Sequence, residues 1–126
     1  MPDPKPRILL VGHCIPDAYA IRSALNSLVP EAQVEFVSRE DDLATTAPSS
    51  LLLINRALDG DFEAADGVEL IRSLAGDAGH PRMMLITNFP DAQAAAQSAG
   101  ALPGFSKREM YAAPTKARVR SALGLT

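Results

Sequence analysis

Three unbroken apolar runs constrain this chain more than any other feature: Ile8–Val11 (ILLV), Leu51–Ile54 (LLLI) and Met83–Ile86 (MMLI). Each is too short for a buried helix, and none alternates apolar with polar residues. Such runs read as strands of a parallel sheet whose two faces are both covered by helices. The segments between them carry helical spacing. Ala18, Ile21, Leu25 and Leu28 recur at intervals of three and four, which predicts a helix over Asp17–Leu28 that Pro30 ends. Val34 and Phe36 alternate with Gln33 and Glu35, the pattern of a half-exposed edge strand. Ser38 stands three residues before Asp41, a capping box with a short acid, and predicts a short helix that stops before Pro48.

A long polar loop, Asn55–Asp66, leads into a helix over Gly67–Leu74 with Val68, Ile71 and Leu74 inward. Gly76–Pro81 has turn chemistry. Asp91–Ala99 is an alanine-rich helix with Gly100 as its stop signal. Gly104–Ser106 is a weak last strand, and Pro114–Leu123 closes the chain as a helix with proline in its first turn. Strand then helix, five times over, predicts an α/β fold with a doubly wound five-stranded parallel sheet. The whole chain, 1–126, reads as one domain with its core over about 7–123.

Composition narrows the function classes. Hydrophobic residues make up 47% and charged residues 21%, as in globular chains. A net charge of −3 argues against binding nucleic acid, since phosphate backbones attract basic surfaces. Cys14 is the one cysteine, which excludes an internal disulfide and a four-cysteine zinc site. The opening Met-Pro-Asp-Pro-Lys-Pro-Arg lacks the apolar stretch of a signal peptide. No apolar run is long enough to cross a membrane, so no membrane role and a cytoplasmic location are expected.

In doubly wound sheets, function gathers beyond the carboxyl ends of the strands. There the sequence offers Gly12, His13 and Cys14; Asn55 and Arg56; Thr87 and Asn88; and Lys107, one of three lysines among twelve basic residues. With ILLV, LLLIN followed by GVELIRSL, MMLIT, Ala99-Gly100-Ala101 and Ser106-Lys107-Arg108-Glu109, the chain resembles the receiver domain of two-component response regulators from about Arg7 to Leu123. The resemblance implies a flavodoxin-like, receiver-like (βα)5 fold. It also implies phosphoryl transfer to an aspartate after the third strand. An acidic pair after the first strand would help to hold Mg²⁺, which prefers hard anionic oxygens. A hydroxyl residue and a lysine would bind the phosphoryl oxygens.

By that resemblance Thr87 takes the hydroxyl position and Lys107 the lysine position. Gly12 and His13 take the acidic pair, and Asn55 takes the phosphoacceptor. An amide carries no charge and is a poor nucleophile, so the expected molecule is a pseudo-receiver with no catalytic residue, no metal site and no Mg²⁺. It is then no enzyme. It acts through protein–protein interaction in two-component or phosphorelay signalling, with a kinase or another signalling protein as partner. In 126 residues there is no room for a second output domain of similar size, so output is expected to pass through that partner. An alternative keeps the chemistry: Asp59 lies eight residues before Gly67, the family's acceptor spacing, and would make the chain a true phosphoacceptor. That register would put Asn55 and Arg56 inside a buried strand, where unpaired polar groups cost about 1–3 kcal/mol each. A third reading is a flavodoxin-like ligand binder or small enzyme at the crevice around His13, Thr87 and Lys107.

The plainer readings stand beside these. His13 fills the vacated acidic pocket as a loop histidine, with a pH sensor as the sharper option. Cys14 is a small apolar filler. Lys107 either is solvated or neutralises a loop acid such as Asp59 or Asp61. Thr87 caps nearby backbone at a strand end. Lys116, Arg118 and Arg120 form a solvated face, or else a homodimer surface, which the family often builds from its last helix–strand–helix face. The family's aromatic three residues before the lysine is Gly104 here, with Phe105 beside it.

Overall fold

The computed structural model describes residues 5–125; the first four residues, on which part of the signal-peptide reading rests, lie outside it. One parallel sheet in the order β2-β1-β3-β4-β5 organises the chain. Its strands are β1 (Arg7–Val11), β2 (Gln33–Val37), β3 (Leu51–Asn55), β4 (Arg82–Ile86) and β5 (Leu102–Phe105). The helices are α1 (Ile15–Leu28), α2 (Gly67–Ala75), α3 (Pro90–Ala99) and α4 (Ala113–Ala122).

The unbroken apolar runs are two-faced, as expected. Ile8, Leu10, Leu51, Leu53, Met84, Ile86 and Phe105 point to one side, where Ala18, Ile21, Leu25 and Leu28 of α1 and Val119 and Ala122 of α4 meet them. Leu9, Val11, Leu52, Ile54, Met83 and Leu85 point to the other, against Leu70 and Ile71 of α2 and Ala96 of α3. The strand period of two sorts the side chains between the layers. Each fully buried aliphatic side chain contributes about 1.5–3 kcal/mol of transfer free energy, so these three runs carry a large share of the driving force.

The helices start where local chemistry permits. Pro16 and Pro114 sit in the first turns of α1 and α4, where no intrahelical donor is missed. The first helix begins at Ile15, two residues ahead of the expected Asp17. Asp66 caps α2, its carboxylate accepting from the Glu69 N–H at 2.9 Å.

Two expectations need correction. The second crossover carries no α-helix, only a 3-10 turn at Glu40–Leu43 without a side-chain cap. Leu43 is the one buried residue there, too little apolar surface to hold a helix. The Ser38 carbonyl is already taken by the Asp61 N–H, and Arg39 bridges Asp61 in parallel, so the chain stays extended past β2. The fifth strand runs over Leu102–Phe105 rather than Gly104–Ser106. It carries an irregularity: Met84 faces Leu102 and Ile86 faces Phe105, so one extra residue of β5 is accommodated opposite Leu85. That extra residue turns Phe105 into the core, where it is 3% exposed. Among the described residues no helix is long and apolar enough to cross a membrane.

Candidate functional site

The order of the sheet reverses direction between β1 and β3, and the crevice opens above their carboxyl ends. Gly12 follows β1 with φ +74°, a left-handed conformation that side chains other than glycine rarely adopt. Its N–H donates to the Val37 carbonyl at 3.0 Å. Its carbonyl accepts from the Asp59 N–H at 2.8 Å and from Asn55 Nδ2 at 3.3 Å. Asn55 ends β3, and the same Nδ2 donates to the Ala57 carbonyl at 2.7 Å. The Asn55 amino group therefore ties the end of β1 to the loop that follows β3.

That loop folds back over the strand ends. Leu58 packs directly over Gly12, with its Cδ2 2.6 Å from where a β-carbon on residue 12 would stand. Gly60, at φ +125°, lets the chain pass close to the Ser38 carbonyl. Glu40 then clasps the far end of the loop, its Oε1 accepting from the N–H groups of Glu63 and Ala64 at 3.1 and 3.2 Å. Leu58 and Phe62, the large apolar residues of the polar stretch, both pack on the core face shared with α2 and α3. Their presence in an otherwise polar loop was the signal that the loop packs down.

His13 is buried, with 7% of its surface exposed. Its Nε2 lies 2.9 Å from the Leu53 carbonyl. A carbonyl only accepts, so Nε2 carries the proton and Nδ1 is bare; Nδ1 has no hydrogen-bond partner among the described residues. Burial lowers the imidazole pKa to about 4, against the opposing pull of the Leu53 carbonyl, and the nearby Lys107 ammonium lowers it further. His13 is thus a buried, neutral imidazole beneath the crevice.

Lys107 leaves β5 and reaches Asp17 in the first turn of α1, Nζ to Oδ2 2.5 Å. Neither reading of Lys107, solvated or paired with a loop acid, named this partner. Asp59 and Asp61 are held to the ends of β1 and β2 by their own main-chain N–H groups, which donate to Gly12 and Ser38. The Lys107 ammonium keeps the Asp17 carboxyl below the usual carboxylate range, and a hydrogen bond from the Cys14 thiol helps. No motif in the sequence marks Asp17. Its signal was position: the first turn of the helix after β1 opens onto the strand ends.

Thr87 follows β4 and is 9% exposed; its Oγ1 accepts from the Phe89 N–H at 3.1 Å, the backbone cap expected of it. Phe89 is exposed and lies under the Arg56 guanidinium, 4.9 Å from Cζ to the ring centre. Asn55, Arg56, Thr87, Asn88, Phe89 and Lys107 line a cleft of about 200 Å³. The structure thus brings Asn55, Thr87 and Lys107 together. Asp59 stands further along the loop with its side chain exposed. The basic stretch on α4 is partly used within the chain: Arg120 pairs with both oxygens of Glu31, and Arg118 donates to the Gly104 carbonyl.

No family model matches the sequence, and no curated protein matches it. Solved structures do match the fold. The signal receiver domain of a DNA-binding response regulator from Colwellia psychrerythraea 34H superposes with a TM-score of 0.75 at 14% identity, over 94% of this chain and 98% of that one. The non-phosphorylated receiver domain of the stress response regulator RcsB from Escherichia coli gives 0.70 at 18% identity, over 98% and 97%. A response regulator from Thermotoga maritima gives 0.71 at 16% identity, over 96% and 99%. The chain has the flavodoxin-like fold of response-regulator receiver domains.

Proposed function

We propose that this chain is a receiver-like signalling domain that works without phosphorylation, through contact with a protein partner such as a kinase. One observation carries the reading: the residue that ends β3 beside Thr87 and Lys107 is a carboxamide. An acyl phosphate needs a carboxylate oxygen as nucleophile, and Asn55 has none. Asn55 is then the counterpart of the phosphoacceptor, Gly12 and His13 of the acidic pair, and Thr87 and Lys107 of the phosphate-binding groups.

The residues present do not suit Mg²⁺, and the domain is read as needing no cofactor. Octahedral Mg²⁺ wants anionic oxygens. Gly12 has no side chain, His13 spends its Nε2 on Leu53, and Asn55 presents N–H donors to two carbonyls. Leu58 fills the space a side chain at position 12 would need. A cation does sit in a protein of this fold, the Mn²⁺-bound response regulator Rcp1, which is 13% identical to this chain.

The cleft beside Asn55 is itself small for a small-molecule site. At about 200 Å³ it is smaller than the roughly 300–1,000 Å³ of ordinary ligand pockets. The domain carries no catalytic role in this reading. Incubation with a small acyl phosphate and Mg²⁺ tests it: the intact mass should stay unchanged. A gain of one phosphoryl group that disappears in Asp59→Asn would replace it with a true phosphoacceptor using Asp59.

A further inference from the structure

Two carbonyl oxygens converge on one nitrogen at the mouth of the crevice. The Gly12 carbonyl comes from the end of β1 and the Ala57 carbonyl from the loop after β3, and Asn55 Nδ2 donates to both, at 3.3 and 2.7 Å. Oxygens from separate segments that point at one centre repel each other unless something positive lies between them. A cation does this in many proteins; here the two hydrogens of a neutral amide do it. The same loop is tied to Gly12 a second time by the Asp59 N–H, and Leu58 is pressed onto Gly12 between these two ties.

We infer that the Asn55 amino group is a built-in substitute for a bridging cation. It holds the start of the 56–66 loop, where Leu58 presses on Gly12, closed over the end of β1 in a single conformation that needs no metal. The inference rests on the reading of the crevice as one without phosphoryl chemistry, and adds how that crevice is kept in one state. Receiving a signal by loop movement at this place is then ruled out for the native chain. The loop is a fixed part of the domain's face.

The geometry makes a specific demand on residue 55. A carboxylate is close to the amide in size but presents only acceptors. In Asn55→Asp, oxygen would face the Gly12 and Ala57 carbonyls, and a divalent cation between the three oxygens would relieve the repulsion. The variant should melt several degrees below the native chain in chelator, and millimolar Mg²⁺ or Mn²⁺ should raise its melting temperature in a saturable way, as any ligand that prefers the folded state must. The native chain should show no such rise.

Asn55→Ala removes the strut without adding charge, and serves if the aspartate variant does not fold. In it the Asp59 amide hydrogen, now on a loop that has lost its Asn55 tie, should exchange with solvent at least tenfold faster, and added Mg²⁺ should change nothing. Amide exchange at Asp59 unaltered in Asn55→Ala would overturn the inference, as would an Asn55→Asp protein that melts like the native chain with and without cation. Neither failure touches the phosphorylation reading, which needs only the missing carboxylate. Conversely, a phosphoryl adduct on Asp59 would remove that reading and leave the strut in place.

Discussion

Leu58 packs so closely on Gly12 that a side chain at residue 12 would have to push the Leu58 side chain aside, its Cδ2 standing 2.6 Å from the place of a β-carbon. Two separate obstacles meet here. The left-handed backbone at φ +74° costs a substituted residue about 1–2 kcal/mol. Overpacking against Leu58 costs about 1–3 kcal/mol more. Gly12→Asp should therefore lose roughly 2–5 kcal/mol in urea unfolding. Adding Leu58→Ala relieves the clash and leaves the backbone strain. The double variant should be more stable than the two single losses predict, by about 1 kcal/mol in a double-mutant cycle. Simple additivity would mean that the two residues do not press on each other.

His13 makes the fold sensitive to mild acid. Its pKa is about 4 in the folded chain and ~6.5 in an unfolded one. Between those values the unfolded chain binds a proton that the native chain refuses. Its contribution is thus complete above about pH 6.5 and is lost as pH falls from there toward 4. The full difference is worth at most roughly 3 kcal/mol. Unfolding titrations of the native chain and His13→Gln at about pH 7 and about pH 4.5 should show the variant losing clearly less on acidification. Equal losses would contradict a buried neutral imidazole.

The Asp17–Lys107 pair closes one side of the crevice but adds little stability. Its side chains are 40% and 33% exposed, and such pairs contribute about 0–1 kcal/mol. Lys107→Met should shift the melting point slightly and should raise the Asp17 pKa toward an ordinary carboxylate, read by NMR titration of its side-chain carbon. An Asp17 titration that does not move would show the pair to be absent in solution.

Gln93 holds the irregular edge of the sheet together. Its Nε2 donates to the Leu85 carbonyl at 2.6 Å, and its Oε1 accepts from the Gly104 N–H at 3.2 Å. Gln93→Ala should cost about 1–3 kcal/mol, since both backbone groups lose a partner. Gln93→Glu keeps the acceptor and puts a carboxylate against the Leu85 carbonyl, so its loss should be larger near neutral pH than in acid. Thermal melts of the two variants at both pH values check this.

The parts of the molecule set by local pattern were readable in advance. Unbroken runs such as Leu51–Ile54 announce strands buried on both faces, and their alternation with amphipathic segments leaves few topologies open. The meeting of Asn55, Thr87 and Lys107 followed from strand ends alone. What was not readable depended on long-range geometry. Ser38–Asp41 has the local chemistry of a helix start, yet the Asp61 N–H, twenty-three positions past Ser38, claims the Ser38 carbonyl and keeps the chain extended. Lys107 finds Asp17 ninety residues away, a pairing no spacing rule contains. Leu58 reads as a loop residue until Gly12 is seen to need it.

The central claim is that the crevice beside Asn55 accepts no phosphoryl group. Beryllofluoride, a mimic of that group, tests it most directly when added with Mg²⁺ to the isotope-labelled chain. The account predicts unchanged amide resonances for Gly12, Asn55, Thr87 and Lys107 throughout the titration. Saturable shifts at Thr87 and Lys107 that require both the mimic and the cation would contradict it.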